Sequence, residues 1–305
     1  MCSSDLIHQR RWCPELCALW GGVPMAALPS VHPSDANFGE TSGLSFLPDG
    51  LPIVGVLGDQ HAALIGQGCC AEGLSKCTLG TGGFALLHTG DAPKKTDRSL
   101  IQTIAYDFGG RCRYALEGST FVAGALFDWL CDLGVADSAK DIAALAGTVA
   151  DAGGAMVVPA LAGLGAPHWR PEARGLFRGL GRGTTKATLC YAALEGVALQ
   201  TAELIGHMVA ASGAPIASLR VDGGAAASDL LLQMHSDLLG CNVARPASVE
   251  ATGLGAALAG AVGLGLKQER DLLSAFAPAA TFRPGMTEAK RSERFAAWSQ
   301  AVRMA

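Results

Sequence analysis

GVLGDQHAALIGQGCCAEGLSKCTLGTGG, residues 55–83, is the stretch whose reading decides the fold. It carries two chemical devices. Gly58-Asp59-Gln60 places a carboxylate and an amide just ahead of an apolar run, and Leu79-Gly80-Thr81-Gly82-Gly83 is a glycine-rich turn with one hydroxyl. Glycine lets a backbone approach a phosphate closely and turn its N–H groups inward. A carboxylate facing such a turn can take a proton from an attacking hydroxyl. Together they describe half of a phosphoryl-transfer site.

Each device also has a plainer reading. Asp59 precedes Ala62, Ala63, Leu64 and Ile65 and can serve as a helix N-cap. Gly80–Gly83 can be an ordinary hairpin turn. Later segments decide between these readings.

The 305 residues are 50% hydrophobic and 16% charged, which excludes a disordered chain. A net charge of −4 gives no electrostatic reason to expect nucleic acid or an anionic membrane as partner. Forty glycines imply tight turns and close backbone approaches. Ten cysteines show no paired C-x-x-C spacing with histidines, so no zinc site is expected. Scattered thiols fit a reducing, cytoplasmic setting, and no secretory signal opens the chain. The longest apolar run, Gly253 to Leu266, is about 14 residues, short of the roughly 20 that span a bilayer, and reads as a buried helix.

In chain order, Met1–Arg11 shows no period and reads as frayed or foreign to the fold. Trp12–Trp20 reads as a helix with Leu16, Leu19 and Trp20 on one side. Leu51–Leu57 reads as a buried strand that delivers Asp59 at its C-terminal end. Strands are expected at Ser75–Leu79, Phe84–Thr89, Leu100–Tyr106 and Arg113–Leu116, as an antiparallel meander. Helices are expected at Phe121–Leu133 and at Ser138–Ala146, where Ser138 is the candidate cap. A strand at Ala155–Pro159 and a long helix at Thr185–Val209 follow. Then come a strand at Leu219–Asp222, a helix at Ser228–Leu239 capped by Ser228, and a strand at Asn242–Arg245. Helices at Thr252–Val262 and Glu288–Met304 end the order. Strands first, then alternating helices and strands, describe an α/β chain. They suit one lobe of an actin-like (ribonuclease H-like) ATPase fold, a mixed sheet flanked by helices.

Collinear motifs give this a family. They are Pro52-Ile53 through Gly58-Asp59-Gln60, Gly80-Thr81-Gly82, Tyr114–Gly118 running to Ala123-Gly124-Ala125, and Gly163-Leu164-Gly165-Ala166-Pro167-His168-Trp169. Gly175–Leu180 through Ala192–Glu195, Arg220–Ala225, Leu254–Ala257 and Phe282-Arg283-Pro284-Gly285 continue the match. From about Arg10 onward the chain resembles the glycerol kinases of the FGGY carbohydrate kinase family. The resemblance implies residues 1–66 as the end of the family's N-terminal domain and 67–305 as its C-terminal domain. It implies ATP with Mg2+ as cofactors, and glycerol or a similar polyol as substrate.

By the same resemblance Asp59 is the general base, Gln60 bonds the polyol and Phe84 lines its pocket. Gly80, Thr81 and Gly82 meet the β/γ phosphates, Gly124 lets the nucleotide pass a helix, and Gly223, Gly224 and Ala225 border adenine and ribose. Asp128 stands where the family usually has a glutamine near the nucleotide, and Ser228 replaces an asparagine near adenine. No Asp-x-Gly-Thr loop and no Arg-Glu pair occurs in residues 1–50. The 305 residues alone are therefore expected to lack kinase activity and to expose apolar surface that drives association into homo-oligomers. The other readings are a different FGGY polyol or sugar kinase, or a nucleotide-binding remnant without catalysis.

Overall fold

The computed structural model describes residues 5–96, 98–248 and 250–305. Strands β1 (Asp5–Leu6) and β2 (Arg11–Trp12) form a short hairpin, followed by α1 (Pro14–Leu19). A long irregular stretch leads to α2 (Asp59–Gly66). Next come β3 (Leu74–Leu79), β4 (Gly83–Gly90), β5 (Ile101–Phe108) and β6 (Arg111–Thr120). Helices α3 (Gly124–Asp132) and α4 (Ala139–Ala146) precede β7 (Met156–Val158) and β8 (Leu176–Arg178), which pair only with each other. The long α5 (Lys186–Ser212) is followed by β9 (Ser218–Asp222), α6 (Asp229–Leu239), β10 (Val243–Pro246), α7 (Ala251–Gly263), β11 (Pro278–Phe282) and α8 (Glu288–Met304).

The main sheet has seven strands in the order β11-β10-β9-β3-β4-β6-β5. The central pairs β10/β9 and β9/β3 are parallel and the rest antiparallel. The expected meander is corrected here. Gly109 and Gly110, at φ 59° and 78°, close a two-residue hairpin between β5 and β6, so the pair moves as a unit. It is β6 that reaches β4, leaving β5 at the edge.

Side chains alternate across the sheet. One face, with Cys77, Leu79, Ala85, Leu87 and Leu116, packs on α3, α5, α6 and α8. The other, with Leu86, Ala105, Tyr106 and Ala115, packs on Leu64 and Ile65 of α2 and Leu258 and Ala259 of α7. Caps appear where hydroxyls precede helices. Ser138 Oγ accepts from Asp141 N–H, Thr185 forms a reciprocal box with Thr188, and Ser228 Oγ accepts from Leu231 N–H.

Helices α2 and α7 touch backbone to backbone. A Cβ on Gly66 would lie 1.9 Å from Ala251 O, and one on Gly255 would lie 1.7 Å from Ala62 O. Only glycine permits this approach. The run Gly253–Leu266 is thus half-buried, with Leu254, Leu264 and Leu266 exposed. Among the described residues no helix is long and apolar enough to cross a membrane.

Further expectations fail for local reasons. Leu51–Leu57 is an extended loop, not a buried strand, and Ile53 and Val56 are exposed. Pro52 lacks an N–H. The stretch meets the segment from Ser34 to Thr41 through isolated bonds, such as Ile53 N–H to Gly39 O at 2.8 Å. In Trp12–Trp20, β2 takes Trp12 and Pro14 opens the helix; Cys13 and Cys17 are buried, while Leu19 and Trp20 are exposed. Of the segment expected to be frayed, residues 1–4 lie outside the described set. The remainder forms the β1–β2 hairpin, and Arg10 ties it to β5 through Asp107 at 2.9 Å.

Fully buried His235 gives an expectation about acid. Its Nδ1 meets Leu231 O at 2.7 Å, and Nε2 has no partner among the described residues. Burial pushes its pKa down from 6.5 to about 4. Between those values the unfolded chain binds the proton and the folded chain does not, so stability falls as pH drops from about 6.5 towards 4 and is level above. His235 alone contributes a loss of about 2 kcal/mol from pH 7 to pH 5. Urea midpoints at both pH values, for wild type and His235→Asn, should show a smaller acid loss in the variant.

Candidate active site

The site forms where parallel strands end. Thr78 of β3 and Asp222 of β9 are register partners, so the loops after Leu79 and Asp222 leave the sheet side by side. This is the end of an α/β sheet where ligands bind. Gly223 has φ 89°, and a Cβ there would lie 2.5 Å from Leu79 O, so glycine holds the two loops together. Gly80 and Gly224 are exposed; nothing lies within 4 Å of a Cβ built on Gly224.

Helix α3 fixes the first loop from behind. Gly124 N–H donates to Gly80 O at 2.8 Å, and the Ala123 and Ala125 N–H groups donate to Thr81 O at 2.8 and 3.2 Å. A Cβ on Gly124 would sit 2.7 Å from Gly80 O, so this glycine is needed for packing against the loop. Gly82 is buried against Thr120 O, 2.5 Å from where its Cβ would be. Among the described residues no protein oxygen accepts from the N–H of Thr81 or Gly82. Those donors, with the exposed Thr81 hydroxyl, suit an anion.

Asp59 is the first residue of α2, and Gly58 is its N-cap. The simple N-cap reading is therefore corrected by one position. Asp59 Oδ1 accepts from Gln60 N–H at 2.7 Å, and the side chain is exposed in the helix's first turn, where a carboxylate is favoured. Gln60 is tied to the sheet, since Lys76 Nζ of β3 donates to Gln60 Oε1 and, at 3.0 Å, to Thr78 Oγ1. Lys76 has no exposed surface. Burial lowers its pKa, and the charge of Asp222 opposes that.

Asp222 is itself buried. Its Oδ2 accepts from Gln67 Nε2 at 2.8 Å, and its Oδ1 has no partner among the described residues. Burial raises the pKa of Glu117 on β6; Lys76 opposes this and Asp59 adds to it. His61, pushed by burial to about 4, meets Thr103 Oγ1 at 3.2 Å. A cavity of about 430 Å³ opens beside Gly58 and His61, but neither Asp59 nor Gln60 lines it.

Phe84 pairs with Thr78 across β3/β4, is 40% exposed, and by alternation shares the face of Lys76 and Thr78. Asp128 is exposed one turn beyond Gly124 on the same side of α3. Ala225 lies in a 3-10 turn, Gly224–Ala227, that runs into the Ser228 cap of α6. Contacts thus join Gly80, Thr81, Gly82, Gly124 and Gly223, and the Lys76 bond joins Gln60 to β3. Sequence reasoning missed Lys76, Gln67, Glu117 and the unpaired oxygen of Asp222. A lysine inside the strand LSKCTL was the available signal, because charged side chains are almost never fully buried without partners.

These paired loops at the ends of parallel strands, in a mixed sheet flanked by helices, define one lobe of the actin-like class of fold. Residues 75–264 match the FGGY family of carbohydrate kinases, C-terminal domain, and the chain belongs to that family. A glycerol kinase of Alkalilimnicola ehrlichii is 48% identical over 300 residues, 98% of this chain and 60% of the relative. One of Thermus brockianus is 48% identical over 295 residues, 96% and 59% of the two chains. The crystal structure of Plasmodium falciparum glycerol kinase with ADP superposes with a TM-score of 0.92 at 30% identity, covering 99% of this chain and 61% of that one. The chain spans about 60% of the length of these relatives.

Proposed function

We propose that this chain supplies the base and one nucleotide-binding wall of a kinase that phosphorylates glycerol with ATP. One observation carries the reading. The Gly80–Gly82 and Gly223–Ala225 loops meet at the ends of adjacent parallel strands, and Asp59 stands at the head of a helix whose next residue is bonded to one of those strands. Asp59 takes the proton of a terminal hydroxyl as its oxygen bonds to the γ-phosphorus, and the bond to the β–γ bridging oxygen breaks to release ADP. Gln60 bonds the polyol and Phe84 gives it an apolar wall. Thr81 and the N–H groups of its loop hold the β/γ phosphates. Gly124 and Asp128 flank the nucleotide, and Gly224, Ala225 and Ser228 border its base.

Mg2+ bound with ATP would need only one or two protein carboxylates, and the exposed Asp59 would be one of them. When bound it offsets the phosphate charge. Residues 67–305 form the C-terminal domain in this reading, and 1–66 the end of the preceding one. The described cysteines carry no disulfide, which supports a cytoplasmic setting. Exposed Leu19, Trp20 and Phe46 support association of the isolated chain, which light scattering would reveal.

The substrate is tested by joining residues 52–305 to the N-terminal lobe of a glycerol kinase. The joined protein should release ADP with glycerol, and the 305 residues alone should not. A joined protein that folds and ignores glycerol overturns the reading. The nucleotide loop is tested by Gly224→Val. The site is open, so the fold tolerates the side chain, while a nucleotide lying against it loses about tenfold or more in affinity. Unchanged calorimetric ATP affinity would show that the loop is misassigned.

A further inference from the structure

We infer that Lys76 is a positioning residue: its buried ammonium holds the amide oxygen of Gln60 and so turns the Gln60 amide nitrogen, a donor only, toward the hydroxyl whose proton Asp59 accepts. The inference rests on the polyol kinase reading and assigns the direction of one hydrogen bond within it.

Lys76 lies in the middle of β3 with no exposed surface. A leucine would fill such a place without the cost of desolvating a charge. Among the described residues Lys76 forms no ion pair within 4.0 Å, and its hydrogen bonds go to Gln60 Oε1 and Thr78 Oγ1. An ammonium can only donate, so it must face the oxygen end of an amide. That removes the ambiguity of a glutamine, whose two ends otherwise exchange freely.

Among the described residues no acceptor takes Gln60 Nε2, and Gln60 is half-buried beside the exposed Asp59. A hydroxyl placed there accepts from Gln60 and donates to Asp59. Its lone pair is held, and its proton points at the base. The charged groups that act on Lys76 are Asp222 on β9 and Glu117 on β6, with the thiols of Cys69 and Cys77; Arg220 is its register partner on β9, and Lys76 and Asp59 on α2 both act on His61 and Glu117. Lys76 thus lies near the carboxylates of Asp222 and Glu117, with a second cation, Arg220, opposite it on β9. A neutral residue there would leave Gln60 free to present its oxygen, which competes with Asp59 for the same proton.

The test uses residues 52–305 joined to the N-terminal lobe of a glycerol kinase, followed by nuclear magnetic resonance. Glycerol should shift the backbone amides of Asp59 and Phe84 and the side-chain amide of Gln60. Lys76→Met should weaken that apparent affinity about fivefold or more, the effect of one ordered hydrogen bond. In a Gln60→Ala background the same replacement should matter less than about twofold, because the route through Gln60 is gone. Equal losses in both backgrounds would show that Lys76 acts by packing alone and would overturn the inference.

Should Lys76→Met fail to fold, Gln60→Ala alone decides, since that position is half-buried. Loss of the amide oxygen should let Lys76 give up its proton at lower pH, read from its Cε and Nζ resonances. An unmoved titration overturns the inference. A joined protein that folds and is silent to glycerol overturns the polyol reading itself, whereas a glycerol response indifferent to Lys76 overturns only the inference.

Discussion

Asp59→Asn, in residues 52–305 joined to a glycerol kinase N-terminal lobe, should lower turnover by about 10²–10⁴-fold, the contribution of a positioned base. Asparagine keeps the shape and can still accept the Gln60 N–H bond that Asp59 makes at 2.7 Å. It removes the proton acceptor. An alcohol is a poor nucleophile until its proton has somewhere to go, and Asp59 is the exposed carboxylate next to Gln60 at the head of α2. Gly58, not Asp59, caps the helix, so the substitution leaves the cap unchanged. Turnover within about threefold of the parent would leave Asp59 as a first-turn helix residue and nothing more.

Gly255→Ala should destabilise the fold by about 3 kcal/mol or more, although alanine improves helix propensity by up to about 1 kcal/mol. The added Cβ would lie 1.7 Å from Ala62 O, and a backbone carbonyl cannot move aside as a side chain can. Helix α2 must shift as a body, and it carries Asp59 and Gln60. The loss of stability therefore comes with a loss of site geometry. Gly253→Ala, two residues earlier on α7, is the control. Nothing lies within 4 Å of its Cβ, so it should be neutral or stabilising by up to about 1 kcal/mol. Urea midpoints of the two variants should move in opposite directions, or the second should not move; equal movement would contradict the close-contact account.

These glycines mark what could be read from the chain and what could not. The strand LSKCTL, the turn Gly80–Gly83 and the Ser138, Thr185 and Ser228 helix starts follow from local pattern, and the structure has them in place. Leu51–Leu57 has the same apolar signature as a buried strand but no sheet neighbour, and pairing is a property of the whole fold. The position of β6 between β4 and β5 depends on which strand of a hairpin reaches back, which hydrophobic alternation does not encode. In the candidate site, the positions of the two glycine loops beyond their strands and of Asp59 at a helix start were legible because their residue types are unusual where they stand. Lys76 carried a signal as a charge within a strand, but its partner Gln60 did not, since the two meet only when α2 lies across β3.

The most direct measurement is a titration of ATP into the 305-residue chain, followed residue by residue through its backbone amide resonances. The account predicts saturable binding, with the largest shifts at Thr81, Gly82, Gly124 and Gly224 and little change along α8. Titration to high ATP with those resonances unmoved would contradict the assignment of this chain as a nucleotide-binding wall of a kinase cleft.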